Sequence, residues 1–260
     1  MNKTTFDYLI PDWPAPDNVQ ALITLRSKGP SVAPFDSFNL ATHVGDNPQQ
    51  VASNRQQLLQ QLGLQAPPLW LNQVHGTEVV KSASSLNSPD ADGCFSDTVD
   101  HTCVILTADC MPILLCNQQG TNVAAIHAGW RGLCGGIISN ALNLFGEDDA
   151  VLAYLGPAIS AQYFEVGPEV FDQFLSGAIN NEHKAKIEKA FTKSVNDRYF
   201  ADLYALARAE LVENGVSDIF GGNFCSFSQS DQFYSYRRDS QCGRNASLIW
   251  LKPRLKEHRP

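Results

Sequence analysis

TADCMPILLCNQQGTNVAAIHAGWRG, residues 107–132, sets two apolar runs on either side of a polar turn. Short runs that are apolar at nearly every position read as strands buried on both faces. Placing the turn at residues 117–120 pairs Cys116 with Thr121 and, further along the same ladder, Cys110 with His127. Residues directly opposite in an antiparallel pair share a face, with Cβ atoms roughly 4.5–5.5 Å apart. One ion can bridge a thiolate and an imidazole at that separation, because Zn–S and Zn–N bonds run about 2.3 and 2.0 Å. Pro112, lacking an N–H, signals an edge strand or a bulge. A one-residue slip would undo the pairing.

Working outward, PLWLNQVHGTEVVK (68–81) reads as a strand with a turn or bulge at Gly76, and it carries His75. Two histidines and a thiolate leave a fourth coordination position open, the pattern of a catalytic rather than a structural zinc. The plainer alternative is that Cys110 is a small core hydrophobe and His127 a hydrogen-bonded turn residue. No CxxC or HExxH spacing decides between them.

The other segments supply a mixed architecture. Residues 47–64 form a helix, with Pro48 at its start and Gly63 as its stop. Helical spacing recurs at 131–146, 167–177 and 199–216, with the glycines of the first weakening it. Strands are expected at 21–29, 101–116, 121–130, 150–159, 217–227 and 245–253. Residues 35–48 read as a loop, 87–97 as a turn cluster, and the C-terminal KPRLKEHRP as a charged tail. Strands and helices do not alternate strictly, so the fold class is α+β, one domain over residues 1–260, rather than a doubly wound sheet.

Composition narrows the function. The formal net charge of −8 argues against a nucleic-acid binder, and no apolar run approaches the roughly 18 residues of a membrane span. Seven cysteines, an odd number, without an apparent export signal, fit reduced thiols and a cytoplasmic location. The chain is expected to be a monomer or a small homo-oligomer.

NQVHGTEVV, ADGCFSD, TADCMPILL, HAGWRGL and YSYRRDSQCGRNASLIWL together resemble the YfiH family, over residues 21–251. Members of that family have been described both as polyphenol oxidases and as purine nucleoside phosphorylases. The resemblance implies a single-domain α+β fold of mixed sheets packed together and flanked by helices. It implies a zinc site of His75, Cys110 and His127, the residues already reached from the hairpin. It implies phosphorolysis of adenosine, inosine, guanosine and methylthioadenosine, together with adenosine deamination. Removal of wrongly built peptidoglycan precursors has also been associated with it.

Phosphorolysis needs a phosphate site. Arg131 opens an expected helix four residues after His127, where a guanidinium and unpaired N–H groups would favour an anion. The alternative is that it stacks on Trp130 or pairs with a surface carboxylate. Arg237, Arg238 and Arg244 form a second basic cluster, from which Arg244 is the residue expected to reach the site. Pairing with Asp239 or a solvated face is the alternative for the first two. Asn39, His43 and Arg55 match a polar family motif and are candidates to line the nucleoside pocket. The alternative is a loop pinned by its own Asn and Asp turns. Gln73 shares a strand face with His75 and is expected to touch substrate or orient a ligand.

Deamination calls for a metal-activated water and an acid–base group. Asp92, Glu78 and Glu165 are candidates, while Asp109 should face away from Cys110. Two further chemistries use the same residues. One is a copper oxidase, for which Met111 is the wrong-facing axial candidate and copper an alternative occupant. The other is a hydrolase with Cys110 as nucleophile.

Overall fold

The structure is a computed structural model and describes residues 6–82, 88–99, 101–147 and 149–254. Most of the charged tail lies outside the described residues. The strands, in chain order, are β1 (Tyr8–Leu9), β2 (Val19–Thr24), β3 (Val79–Lys81), β4 (Gly93–Ser96), β5 (Cys103–Thr107), β6 (Met111–Asn117) and β7 (Val123–Ala128). They continue with β8 (Val151–Leu155), β9 (Glu165–Val166), β10 (Phe191–Lys193), β11 (Tyr199–Ala201), β12 (Asp218–Gly221) and β13 (Asn245–Leu251). The helices are α1 (Pro48–Leu62), α2 (Trp130–Cys134), α3 (Ile137–Leu142), α4 (Pro168–Ser176), α5 (Asn181–Lys189), α6 (Leu203–Glu213) and α7 (Tyr236–Asp239).

Two sheets pack face to face. A six-stranded mixed sheet runs β12-β8-β6-β7-β4-β3, and a four-stranded antiparallel sheet runs β1-β2-β13-β5. Ile23, Ile105 and Ile249 of the smaller sheet meet Leu114, Val123 and Ala125 of the larger. The outer face of the larger sheet (Ile113, Leu115, Ile126) is covered by Leu133, Ile137 and Leu206 from helices α2, α3 and α6. The outer face of the smaller sheet (Leu22, Leu248, Trp250) is covered by Phe38, Leu40 and Leu58, the last from α1. Four layers explain why β6 and β7 are apolar at almost every position: both of their faces are core. The α+β expectation of packed mixed sheets flanked by helices holds.

α1 follows its sequence signals. The Asn47 side chain accepts from the N–H groups of Gln49 and Gln50, Pro48 opens the helix, and Gly63 closes it at φ 63°. Elsewhere the local reading needs correction. The expected helix over 131–146 breaks into α2 and α3 at Gly136, whose φ of 90° suits glycine. The expected strand over 68–81 is regular only at β3, and its earlier part touches neighbours through the isolated bridges Leu69↔Cys103 and Asn72↔Asp90. The turn cluster over 87–97 contains β4, and residues 199–201 form β11 ahead of α6. In 217–227 only β12 is regular. Residues 178–198, for which no element was expected, contain α5 and β10.

The hairpin register also shifts. Cys116 pairs with Val123 and Pro112 with His127, because the connection runs to Asn122, whose carbonyl accepts the Asn117 N–H at 3.2 Å. A shift of two residues keeps every side chain on its expected face, since the strand period is two. It moves the position opposite Cys110 from His127 to Gly129. A Cβ at Gly129 would lie 2.9 Å from Cys110 Sγ and 3.6 Å from His75 Cδ2, so a side chain there would intrude on the thiol. Pro112 does not mark an edge. It is the second residue of an interior strand, and its carbonyl accepts the Gly156 N–H at 2.9 Å.

Candidate metal centre

Between β5 and β6 the chain leaves one sheet and enters the other within residues 108–110. That step is sharp enough to need Asp109 at φ 92°. It delivers Cys110 beside the end of β7, where His127 sits. His75, at φ 60°, reaches the same point from the loop before β3. The ligand atoms of His75, Cys110 and His127 all lie within 4.8 Å of one another. The two imidazole rings meet edge to face, centroids 4.8 Å apart. Left-handed backbone at non-glycine residues is costly and clusters at functional sites. Of the six such residues among those described, His75 and Asp109 meet at this one place.

Asp92, fully buried just before β4, holds the cluster together. Its Oδ1 accepts the His127 Nδ1–H at 2.7 Å and the His75 N–H at 3.0 Å. Its Oδ2 accepts the N–H groups of Gly76 at 2.6 Å and Val74 at 3.1 Å. Its carbonyl takes the His127 N–H at 2.7 Å. With Nδ1 so engaged, His127 presents Nε2 as its ligand nitrogen. A thiolate, two imidazoles and a supporting carboxylate make a donor set that fits a borderline metal ion. Both carboxylate oxygens of Asp92 are thus engaged, by the His127 ring and by the loop that carries His75.

Charge is arranged accordingly. Burial alone would raise the Cys110 thiol, but the His127 charge and hydrogen bonds from His127 and His75 outweigh it and bring its pKa to about 6. Burial alone would lower His127, but the Cys110 thiolate and then Asp92 raise it to about 9. Between those values the metal-free pair is thiolate and imidazolium. A depressed thiol pKa means the charged form persists on acidification. Metal-free protein at pH 7.5 should therefore show thiolate ultraviolet absorbance that Cys110→Ala lacks, disappearing with a midpoint near about 6. A midpoint above 8, the range of an ordinary cysteine, would contradict this pairing.

The cluster opens into a cavity of about 300 Å³, also lined by His43, Gln73, Asp109, Phe164, Tyr236, Arg237 and Arg244. Of the expected substrate residues, His43, Gln73 and Arg244 are here. Partial burial, then the charges of Arg244 and Arg55, lower the His43 pKa. Gln73 spends both ends of its amide on Leu106, donating to the carbonyl at 2.9 Å and accepting the N–H at 2.8 Å. It pins the His75 loop to β5. Arg244 donates to the carbonyls of Cys242 and Gly243, both at 2.9 Å.

Three expected residues fall outside the cavity lining. Asn39 is fully buried; it bonds Ala41 and Asp46 and accepts the Arg244 N–H at 3.0 Å, supporting the site from behind. Arg55 donates to the Leu40 carbonyl at 2.9 Å and stacks 3.7 Å from the Trp70 ring, with burial lowering its pKa to about 10. Arg131 lies over Trp130 at 4.3 Å and lines a separate depression with Glu169. The stacked alternative for Arg131 is the arrangement observed. Glu78 and Glu165 do not line the cavity either. Asp109 does, because its positive φ removes it from strand alternation. Met111 is fully buried in the core with Ile113 and Leu115, away from the cavity. Phe164 had no sequence signal, and Tyr236 lay within the YSYRRD motif without being singled out; each is far from the hairpin in the chain.

A family model described as multi-copper polyphenol oxidoreductase laccase matches residues 20–252. The chain is 45% identical over 245 residues to the Escherichia coli K12 protein named purine nucleoside phosphorylase YfiH, covering 94% of this chain and 98% of that one. It is 47% identical over 247 residues to a Pseudomonas aeruginosa protein named purine nucleoside phosphorylase, with the same coverage. Among solved structures, a Neisseria meningitidis protein superposes with a TM-score of 0.88 at 48% identity, covering 95% of this chain and 99% of that one. YlmD from Geobacillus stearothermophilus superposes with a TM-score of 0.86 at 26% identity, covering 96% and 100%. Among the described residues no helix is long and apolar enough to cross a membrane.

Proposed function

Because the chain belongs to the YfiH family, we propose that the cavity beside His75, Cys110 and His127 is the active site of a zinc-dependent purine nucleoside phosphorylase. Its substrates are adenosine, inosine, guanosine and methylthioadenosine, and adenosine deamination is a second activity, both in the cytoplasm. The observation that carries the reading is an open His₂Cys cluster sharing one cavity with two arginines. Two histidines and a thiolate with an open side suit catalytic zinc. Copper is an alternative occupant by intrinsic affinity. When bound, a metal held by His75, Cys110 and His127 would supply a Lewis acid to the cavity.

The side chains do the rest. Arg237 and Arg244 hold phosphate, and His43 and the aromatic faces of Tyr236 and Phe164 accommodate the nucleoside. A phosphate oxygen forms a bond to C1′ as the C1′–N9 bond breaks. The electron pair leaves with the base, which takes up the proton that the attacking phosphate gives up. Holding both reactants in one cavity converts a bimolecular encounter into a local one. Adenosine with phosphate should give adenine and ribose 1-phosphate, and adenine release should stop when phosphate is omitted. Equal base release without phosphate would make the enzyme a hydrolase and reject the proposal.

A second reading has its own observation. His127 sits between the Cys110 thiol and the Asp92 carboxylate, the order of a nucleophile, base and orienting acid. In that reading Cys110 cleaves an amide in a peptidoglycan precursor without metal.

A further inference from the structure

Several arginines in the described residues are matched by carboxylates: Arg26 by Asp36, Arg198 by Glu165 and Arg238 by Asp239. Arg237, whose side chain lines the metal cavity, has a different set of partners. Its Nη1 donates to the carbonyls of Tyr163 and Glu165, both at 3.2 Å, and its guanidinium lies 5.4 Å from the Phe164 ring centroid. Carbonyls and a ring face orient a guanidinium without cancelling its charge. Arg244 is tied in the same way, to the carbonyls of Cys242 and Gly243. In a chain of net charge −8, the cavity gathers two such cations. A planar fork held by carbonyls on one side and facing a cavity on the other suits an oxyanion.

The backbone of Arg237 is fixed by Asp109, 128 residues away in the chain. Asp109 Oδ2 accepts the Arg237 N–H at 2.6 Å, and Oδ1 accepts the Ser226 hydroxyl at 2.7 Å. The Asp109 carbonyl accepts the Ile159 N–H at 2.9 Å. Asp109 immediately precedes Cys110. One residue therefore joins the turn that delivers the thiolate to the segment that delivers the guanidinium. The spacing between the metal ligands and the free cation is set through that residue.

We infer that Arg237 is the principal oxyanion ligand of the cavity and that Asp109 is the positioning residue that fixes its place relative to Cys110. The inference deepens the phosphorolysis reading, and rests on it for the identity of the anion as phosphate. It replaces Arg131, four residues from His127 in sequence, with a residue from the far end of the chain.

The test has two arms. In the kinetic arm, Arg237→Ala raises the KM for phosphate by roughly 10–150-fold, the range of a charge-assisted hydrogen bond, with metal content retained. Arg237→Lys recovers part of that, keeping charge but losing the fork. Asp109→Asn keeps a residue tolerant of positive φ and replaces one acceptor oxygen by an amide. Its rise in phosphate KM should exceed its fall in kcat, a split that general loss of folded protein would not produce. Thermal unfolding and metal content are measured on each variant. In the binding arm, calorimetry with inorganic phosphate compares metal-loaded wild type with Arg237→Ala. Phosphate-dependent turnover with an unchanged phosphate KM in Arg237→Ala would overturn the inference and leave the phosphorylase standing. Phosphate bound through Arg237 without any phosphate-dependent base release would overturn the phosphorylase and leave the oxyanion site standing. Wild type that neither binds phosphate nor uses it would overturn both.

Discussion

Cys110→Ala abolishes metal retention and base release together, and His75→Ala does the same. The thiolate is the only anionic donor in the group of three, and the rest of the set is two imidazoles. Loss of a residue that merely supports a metal ligand costs roughly 10–100-fold in metal affinity or activity, so loss of a ligand should exceed that. His75 makes the test decisive. It is a ligand in the metal reading, yet lies outside the Cys110–His127–Asp92 series of the hydrolase reading. Asp92 accepts its backbone N–H, whereas the Asp92 hydrogen bond to His127 is made to the ring. Metal analysis on protein purified without a histidine tag, alongside turnover, gives the answer. Full turnover by metal-depleted enzyme, with His75→Ala active and Cys110→Ala dead, would reject the metal and establish the nucleophile.

Cys110 and His127 were legible as a pair because their signal is local, whereas His75 entered as a candidate from a separate turn and was joined to them by the family resemblance. Two apolar runs around one turn fix which face Cys110 and His127 share, and an error of two in the register leaves that face unchanged. Their true spacing was not legible. It depends on the crossing at residues 108–110 and on positive φ at His75 and Asp109, and neither residue type announces a left-handed backbone. Gly129 did carry the signal: it is the position opposite Cys110 once the register is corrected, and it has no room for a side chain.

The apolar runs marked β6 and β7 as buried strands, while the packing of sheets flanked by helices was legible only through the family resemblance. The cavity's far wall was not legible. Arg131 is near His127 in sequence but turns onto Trp130, because α2 begins at Trp130 and carries it away from the ligand end of β7. Arg237 and Tyr236 come from α7, over a hundred residues later. The Asp109 hydrogen bond ties that helix to the hairpin, and no periodicity encodes such a contact. Asp92 was visible as an acidic residue near a turn. Its role depends on which four donors surround it.

Asp92→Asn lowers metal affinity by roughly 10–100-fold, the cost of disturbing a carboxylate behind a metal-bound imidazole. The substitution preserves shape and removes one acceptor. Both carboxylate oxygens are in use, Oδ1 by His127 and His75, Oδ2 by Gly76 and Val74. Whichever way the amide is turned, an NH₂ group faces N–H donors. The Val74, His75 and Gly76 amides lie on an open loop and can turn to water; the His127 ring, 4% exposed, cannot. The unfolding penalty should therefore be about 1–3 kcal/mol, the cost of one unsatisfied buried polar group, rather than a sum over four. Burial alone would raise the Asp92 pKa, but the His127 hydrogen bond and the loop amides outweigh it and hold it low. A depressed carboxylate contributes stability above its unfolded pKa and loses it as pH falls through the folded one. The stability gap between wild type and Asp92→Asn should accordingly narrow on acidification below the ordinary carboxylate range. Metal titration and chemical unfolding of the metal-free proteins, each at neutral and acid pH, read both effects. Wild-type metal affinity in Asp92→Asn would mean that His127 is oriented by its strand alone, and that Asp92 serves the loop and not the ligand.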